Sequence, residues 1–361
     1  MDADLYNHYF KILKSSDYPP QDHWDIFNDE YYAKTSDFNE MSSFRSNGIS
    51  NMLETGLPSQ ERFSLIESNS SYDINYDENE IEEILKRFKE LKEIAGDQLG
   101  DIEFNSLVGN PRRLEHQSEN KKYFLNFDDL YHVYGAWQIH RVMDFFKDSK
   151  KIKNILEIGA GYGNLAHKLK SIYKDCRYII IDLPEVLLIQ HYYLSQNNPD
   201  YKIFNLLSSP DTHDIDNINA DIILIPFSLY SKLKFQFDMV INNRSFGEMP
   251  LEILTNYLNW IEKNISKDGF LYTVNRYVFT KSKDKNKIRN YPFDEYWKPI
   301  ISQPQWLQTH LHEFLLRRTE DKPCPPLSFL LESFPLSTPP PGPIMEKIQT
   351  QPEWLKNQQV S

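Results

Sequence analysis

Residues 154–164 read Asn-Ile-Leu-Glu-Ile-Gly-Ala-Gly-Tyr-Gly-Asn. A short apolar run with one acid, Glu157, passes straight into three alternate glycines, Gly159, Gly161 and Gly163. Beyond them Leu165, Leu169, Ile172 and Tyr173 recur at helical spacing. Glycine reaches left-handed backbone angles without a Cβ penalty, so the stretch reads as a strand, a tight turn and a helix.

The same alternation continues downstream. Tyr178–Asp182 (YIIID) is a second strand, followed by a helix from about Pro184. Ile222–Ile225 and Met239–Asn242 are two more strands, each running from apolar into polar residues. Leu251, Leu254, Leu258, Ile261 and Ile265 mark a helix with Pro250 in its first turn, and Gly269 precedes a fifth strand, FLYTVNRY. Alternation in HLHEFLLR predicts a late strand closing the sheet edge. Short apolar strands between amphipathic helices indicate an α/β chain with a doubly wound parallel sheet covered on both faces.

Upstream, IEEILKRFKELKEI places Ile81, Ile84, Leu85, Phe88, Leu91 and Ile94 on one helical face, ended by Gly96. A second helix from about Asp128 has acids in its first turn and carries Leu130, Val133, Tyr134, Trp137 and Phe145 inward. The first eighty residues are polar and acidic and read as irregular structure with short helical pieces. The expected organisation is an irregular and helical region over 1–120, a sheet domain over 121–320 and a Pro-rich tail over 321–361, in which STPPPGP stands.

Acids outnumber bases 52 to 40, giving a net charge of −12, which disfavours a phosphate-backbone partner. Two distant cysteines, Cys176 and Cys324, offer no metal-binding spacing and suit a reducing cytoplasm. The opening MDADLYNHYF has neither a basic n-region nor an apolar h-region, so no signal peptide is expected. No apolar run reaches the length of about 18 residues that a membrane span requires. No acid and histidine cluster predicts a metal, and there is no G-x-S-x-G elbow or Walker-type loop.

In a doubly wound sheet, ligands sit beyond the carboxyl ends of the strands. A dinucleotide turn has the spacing G-x-G-x-x-G, whereas here it is G-x-G-x-G with Glu157 just ahead. That carboxylate repels a pyrophosphate but suits a ligand with an ammonium group, such as S-adenosyl-L-methionine, which also carries a sulfonium cation. Asp182 closes the second strand, where a carboxylate accepts hydrogen bonds from both ribose hydroxyls.

At these residues the chain resembles the class I adenosylmethionine-dependent methyltransferases, whose sheet is Rossmann-like. The resemblance implies cofactor contacts from Glu157, Gly159, Ala160, Gly161, Tyr162, Gly163, Asp182, Leu183 and Asn242. The Asp-Leu-Pro after the second strand, ILIPFSLYSKL, FDMVINNRSFGEMP and GFLYTVNRY are similar to bacterial sugar O-methyltransferases of polysaccharide and glycoside biosynthesis. The likeness covers about residues 120–320. It implies an enzyme acting on a hydroxyl of a sugar or sugar conjugate, and the cysteine usage places that enzyme in the cytoplasm.

Beyond strands four and five lie Asn242, Asn243, Arg244, Ser245, Glu248, Asn275 and Arg276. Arg244, Ser245, Asn275 and Arg276 are expected at the acceptor, the arginines either binding a carboxylate or phosphate or neutralising nearby acids. A sugar hydroxyl is a poor nucleophile, so a general base is expected. Glu248 is the first candidate, though it equally suits the N-terminus of the helix behind it. His132 and His140 are alternatives that titrate nearer neutrality, with a structural or surface role as the competing reading of His132. Tyr162 either contacts the cofactor or packs against the helix, and Tyr291–Trp297 is expected to border the acceptor site. The run KSKDKNKIR reads as a solvated loop rather than as a phosphate site.

Two other readings stay open: methyl transfer to another small acceptor, an amine or a phenol, and a cofactor-binding scaffold without activity. A nucleic-acid methyltransferase is disfavoured by the acidic balance and by Asn-Asn-Arg-Ser standing where an N-P-P-Y element would be. A homo-oligomer is left open.

Overall fold

The computed structural model describes residues 1–15, 37–46, 76–146, 152–278, 287–319 and 327–337, apart from positions 103, 105, 119, 210, 211, 213, 214 and 235. Residues 281–286 of the basic run, Cys324 and the Pro-rich tail from residue 338 lie outside the described residues, as does most of the chain before residue 76. The chain is mixed α/β with a central sheet and helices ahead of it. It divides into two compact units: Met1–Lys151, Ala160–Cys176 and Asp182–Phe227 form the first, and Ile152–Gly159, Arg177–Ile181 and Ser228–Ser361 the second. Elements are numbered along the chain.

The first unit holds α1 (Ala3–Ser15), α2 (Glu78–Ala95), the antiparallel pair β1 (Leu114–Ser118) and β2 (Lys121–Leu125), α3 (Phe127–Phe145), α4 (Asn164–Ile172) and α5 (Pro184–Asn197). The short parallel pair β5 (Ile203–Asn205) and β6 (Ile222–Pro226) completes it. A capping box starts α2: the Asp77 carboxylate accepts the Glu80 N–H at 2.9 Å, and the Glu80 carboxylate accepts the Asp77 N–H at 2.9 Å. Its buried stripe is Ile84, Phe88, Leu91 and Ala95, so Ile94 falls one position off the stripe and is 49% exposed rather than inward. Asn126 caps α3 by accepting the Asp129 N–H at 2.7 Å. Leu130, Val133, Tyr134 and Trp137 are buried as expected, but Phe145, in the last turn past the buried Val142 and Met143, is 78% exposed.

The second unit holds β3 (Asn154–Ile158), β4 (Arg177–Asp182, its last residue counted with the first unit), β7 (Phe237–Asn243), α6 (Leu251–Asn264), β8 (Ile265–Arg276), β9 (Trp297–Pro304), β10 (Leu311–Arg318) and α7 (Leu327–Glu332). Its strands lie in the order β4-β3-β7-β8-β10-β9. The β4-β3, β3-β7 and β7-β8 pairs are parallel, and β10 runs antiparallel to both its neighbours. Every residue of β3 from Ile155 to Ile158 is buried, as a parallel strand covered on both faces requires. Since β3 is flanked by β4 on one side and by β7 on the other, the winding reverses at β3. Its carboxyl end is therefore a topological switch point, where open α/β sheets leave a crevice.

Two expectations about the sheet need correcting. The fifth strand does not wait for Gly269: β8 starts at Ile265, so that residue belongs to a strand rather than to α6. The pairing slips at a bulge between Phe237 and Met239, opposite a stretch where Asp268 is left-handed (φ 62°) and a Cβ on Gly269 would stand 2.8 Å from the Ser266 carbonyl. The late strand is not the sheet edge either, because β10 is interior and β9 lies outside it. β9 was not expected because Pro299 and Pro304 weaken its strand signal; prolines are tolerated on an edge. Among the described residues, no helix is long and apolar enough to cross a membrane.

Candidate functional site

In the first unit the glycine turn is tied to the acid that closes β4. The Asp182 carboxylate accepts the Ala160 N–H at 2.9 Å and the Leu183 N–H at 2.8 Å. Gln190, on α5, donates its side-chain amide to Asp182 at 2.7 Å and to the Gly161 carbonyl at 2.8 Å. Leu183 is extended (φ −63°, ψ 142°) and Pro184 opens α5, so the Asp-Leu-Pro sequence aims the acid at the turn as the helix begins. Burial pushes the Asp182 carboxyl up to about 7, against the pull of the Leu183, Gln190 and Ala160 donors; Glu185 adds to the rise. Gly163 is left-handed (φ 97°), with the space for its missing Cβ filled by Leu194 at 3.3 Å.

The side chain of Tyr162 leaves the turn for the interior. It is 1% exposed and donates its hydroxyl to Asp128. Around it lies a buried polar cluster. Asn164, the first residue of α4, donates to Asp128 at 3.0 Å and to Asp129 at 3.1 Å, and accepts from Tyr193 at 3.1 Å. Lys168 pairs with Asp129 at 3.0 Å, and Arg45 stands 3.9 Å from Asp128. Burial would raise the Asp128 carboxyl, but His132, Arg45 and Tyr162 outweigh it and hold the group well below the usual carboxylate range. His132 is part of this cluster, its Nδ1 lying 2.9 Å from the Asp128 carbonyl and 3.3 Å from the Asp128 carboxylate. His140 lies further along α3, 3.4 Å from the Tyr173 hydroxyl.

In the second unit, Glu157 is buried within β3 and accepts the Tyr178 hydroxyl at 2.7 Å. Gly159 is left-handed (φ 71°), and a Cβ there would lie 2.2 Å from the Ser245 Oγ. Asn242 donates to the Ile158 carbonyl at 2.9 Å and to the Ser245 hydroxyl, while its oxygen accepts the Phe246 N–H at 3.1 Å. Asn275 donates to Asn242 at 3.0 Å and to Thr273 at 2.8 Å, and accepts the Gly247 N–H at 3.0 Å. The structure thus brings Gly159, Asn242, Ser245 and Asn275 together, with the asparagine side chains fully buried and bonded inside the protein.

Arg244 follows β7 in the left-handed region (φ 72°), its N–H donating to the Val274 carbonyl at 2.7 Å. Glu248 ends the short 3₁₀ turn Phe246–Glu248 and is half-buried, as is Arg276 at the end of β8. Of the aromatic stretch, Tyr291 packs edge-on against Phe246 at 6.4 Å, and Trp297 is fully buried with its indole N–H on Glu262 at 3.2 Å. Tyr291 and Trp297 are core residues.

Sequence reasoning missed Gln190, Tyr178 and the Arg45–Asp128–Asp129–Lys168 cluster. Gln190 had a usable signal, being one polar residue in the apolar run Val-Leu-Leu-Ile-Gln of α5. Arg45 had none, since it lies far along the chain from the acids it faces. Among the described residues no group of three or more histidines, cysteines and acids stands where it could hold a metal ion.

A family model described as an O-methyltransferase domain matches residues 88–205, about a third of the chain. No curated protein matches the chain in sequence. Among solved structures, the chain is similar to the mitomycin 7-O-methyltransferase MmcR at 10% identity and a TM-score of 0.32, over 52% of this chain but only 57% of that one. A methyltransferase from Pyrococcus furiosus is similar at 13% identity and a TM-score of 0.34, over 65% of this chain and 98% of that one. The StiE O-methyltransferase region is similar at 11% identity and a TM-score of 0.35, over 54% of this chain and 76% of that one. The O-methyltransferase match falls on the segment that carries the turn, α4, β4 and Asp182.

Proposed function

We propose that the chain is an S-adenosyl-L-methionine-dependent O-methyltransferase acting on a hydroxyl of a sugar or sugar conjugate. One observation carries the donor half of this reading: the turn after β3 and the acid closing β4 are joined through the Ala160 N–H to Asp182, within the segment that the O-methyltransferase model matches. The sugar half rests on the Asp-Leu-Pro and N-x-S-F-G-E-M elements alone.

Bound adenosylmethionine supplies an electrophilic methyl group on a sulfonium. The residues proposed to hold it are Asp182 at the ribose hydroxyls, Glu157 toward the ammonium, and the main chain of 159–163 at close approach. Tyr162 anchors the turn through Asp128. Methyl transfer is an in-line displacement: the acceptor oxygen forms a bond to the methyl carbon as the carbon–sulfur bond breaks, and the hydroxyl proton leaves to a base. Alignment supplies much of the rate, and a positioned base contributes about 10²–10⁴-fold. Glu248 is the proposed base, and Arg244 and Arg276 the proposed acceptor-orienting cations. Asn242, Ser245 and Asn275 act as supports for the turn and for the end of β7.

The test is calorimetric titration with adenosylmethionine, followed by transfer of labelled methyl to a panel of free and nucleotide-linked sugars, amines and phenols. Asp182→Ala is expected to weaken donor binding by about tenfold or more in a chain that still unfolds cooperatively. Unchanged donor affinity in that variant sinks the pocket. Turnover on amines or phenols alone sinks the sugar assignment.

A further inference from the structure

Gln190 is fully buried on α5, and the apolar residues Val186, Leu187 and Leu194, three and four positions away on its helical face, are buried with it. Its Nε2 faces two acceptors, the Gly161 carbonyl at 2.8 Å and the Asp182 carboxylate at 2.7 Å. These partners fix the amide orientation, because the flipped amide would set an oxygen against two oxygens. Its Oε1 is buried and has no hydrogen-bond partner among the described residues. Burying an amide oxygen without a partner is unfavourable, and a leucine would fit this apolar helix face without that cost. The amide is therefore placed for what its two donated bonds do.

We infer that Gln190 is a positioning residue of the donor site: its amide ties the Gly161 carbonyl to the Asp182 carboxylate, setting the spacing between the turn and the acid that the nucleoside end of the cofactor meets. This rests on the proposed donor reading and deepens it. The clamp also acts on the charge of Asp182. Burial raises that carboxyl to about 7, and Gln190 is one of three donors, with the Leu183 and Ala160 N–H groups, that oppose the rise. Glu185, on the first turn of α5, is a charged group acting on Asp182, and it pushes the same way as burial. An ionised carboxylate accepts from both ribose hydroxyls, whereas a protonated one loses part of that capacity. Donor affinity should accordingly rise with pH through about 7.

The test titrates the full chain with adenosylmethionine by calorimetry from pH 6 to 9, in the native protein and in Gln190→Met. The expected result is an affinity about tenfold weaker at pH 7, with the midpoint of the pH dependence moved up by about half a unit to one unit. A structural filler would leave that midpoint where it is. Gln190→Glu keeps the side-chain length and, once ionised, sets a second acid against Asp182. It should weaken binding further as the pH rises, and it serves should the methionine variant not fold. A native chain that binds no adenosylmethionine sinks the donor reading itself. A native chain that binds, with midpoint and affinity unmoved in both variants, sinks the clamp alone.

Discussion

Gly159 is the residue on which the turn depends most directly. Its backbone is left-handed (φ 71°), and the place of a Cβ is taken by the Ser245 side chain, whose Oγ would lie 2.2 Å away. Two separate penalties therefore meet a substitution: about 1–2 kcal/mol for the left-handed backbone and about 1–3 kcal/mol for the overlap. Gly159→Ala is expected to lower unfolding free energy by about 2–5 kcal/mol in urea denaturation. Ser245→Gly removes the overlap but also the hydroxyl's bonds with Asn242 and the Ile158 carbonyl, so it is the reference for the double variant; against it Gly159→Ala should cost only the backbone term, about 1–2 kcal/mol. No cost in that background would show that the backbone angle is free, and the same cost as in the native background would show that Ser245 is not the obstacle. The glycine pattern was legible in the sequence as a need for a bare backbone. Which neighbour makes that demand was not, because Ser245 lies far along the chain from Gly159 and only the folded sheet puts them together.

Among the elements, α3 and α4 are joined by a buried charge pair. Asp129, in the first turn of α3, and Lys168, on α4, are both fully buried at 3.0 Å, with Asn126 and Asn164 bonding the same carboxylate. In sequence the two acids of that first turn read only as groups favouring the helix N-terminus, and nothing in their spacing points to a buried lysine partner. Removing one partner of a buried pair strands the other charge, so Lys168→Met is expected to cost about 3–5 kcal/mol. Replacing both, Lys168→Met with Asp129→Asn, should recover more than half of this, since no unpaired charge remains and the amide oxygen still accepts from the neighbouring asparagines; equal losses in both variants would mean that the pair itself is not what matters. The strands whose residues are apolar and buried on both faces, β3, β4, β6 and β7, were readable as short hydrophobic runs. β5 is only three residues long, the β1–β2 pair alternates polar residues, and β9 carries prolines, so none of these has the periodicity that marks a strand.

For the whole molecule, the buried ionisable groups set how stability follows pH, and they do not all pull the same way. Burial lowers His191, in the first unit, to about 4 and His312, in the second, to about 3. A histidine kept neutral by folding contributes stability that is complete above its unfolded value of about 6.5 and is lost as pH falls toward its folded value. From pH 7 to 5 each histidine should therefore remove about 2 kcal/mol. Asp182 has the opposite sign: its folded value of about 7 lies above the unfolded 3.8, so protonation stabilises the fold as pH falls across that window, by about 2–3 kcal/mol from pH 7 to 5. Asp128 and Asp129, both lowered, hold their contribution above the unfolded value and add nothing between pH 7 and 5. These three groups together give a loss of only about 1–2 kcal/mol, and the half-buried Glu262 carboxyl, raised by burial, and the Met1 ammonium, lowered by it, act beside them in opposite senses, so the total does not separate the parts. His312→Gln separates them. Its ring nitrogens stand 3.0 Å from the Tyr277 hydroxyl and 3.0 Å from the Ser302 hydroxyl, and a glutamine amide offers both a donor and an acceptor there without titrating. Unfolding free energies from urea denaturation at pH 7 and pH 5, without added adenosylmethionine, which would itself shift Asp182, should fall by about 2 kcal/mol less in His312→Gln than in the native chain, leaving almost no net change. An identical pH response in the two proteins would mean that His312 is charged, or open to water, within the folded sheet.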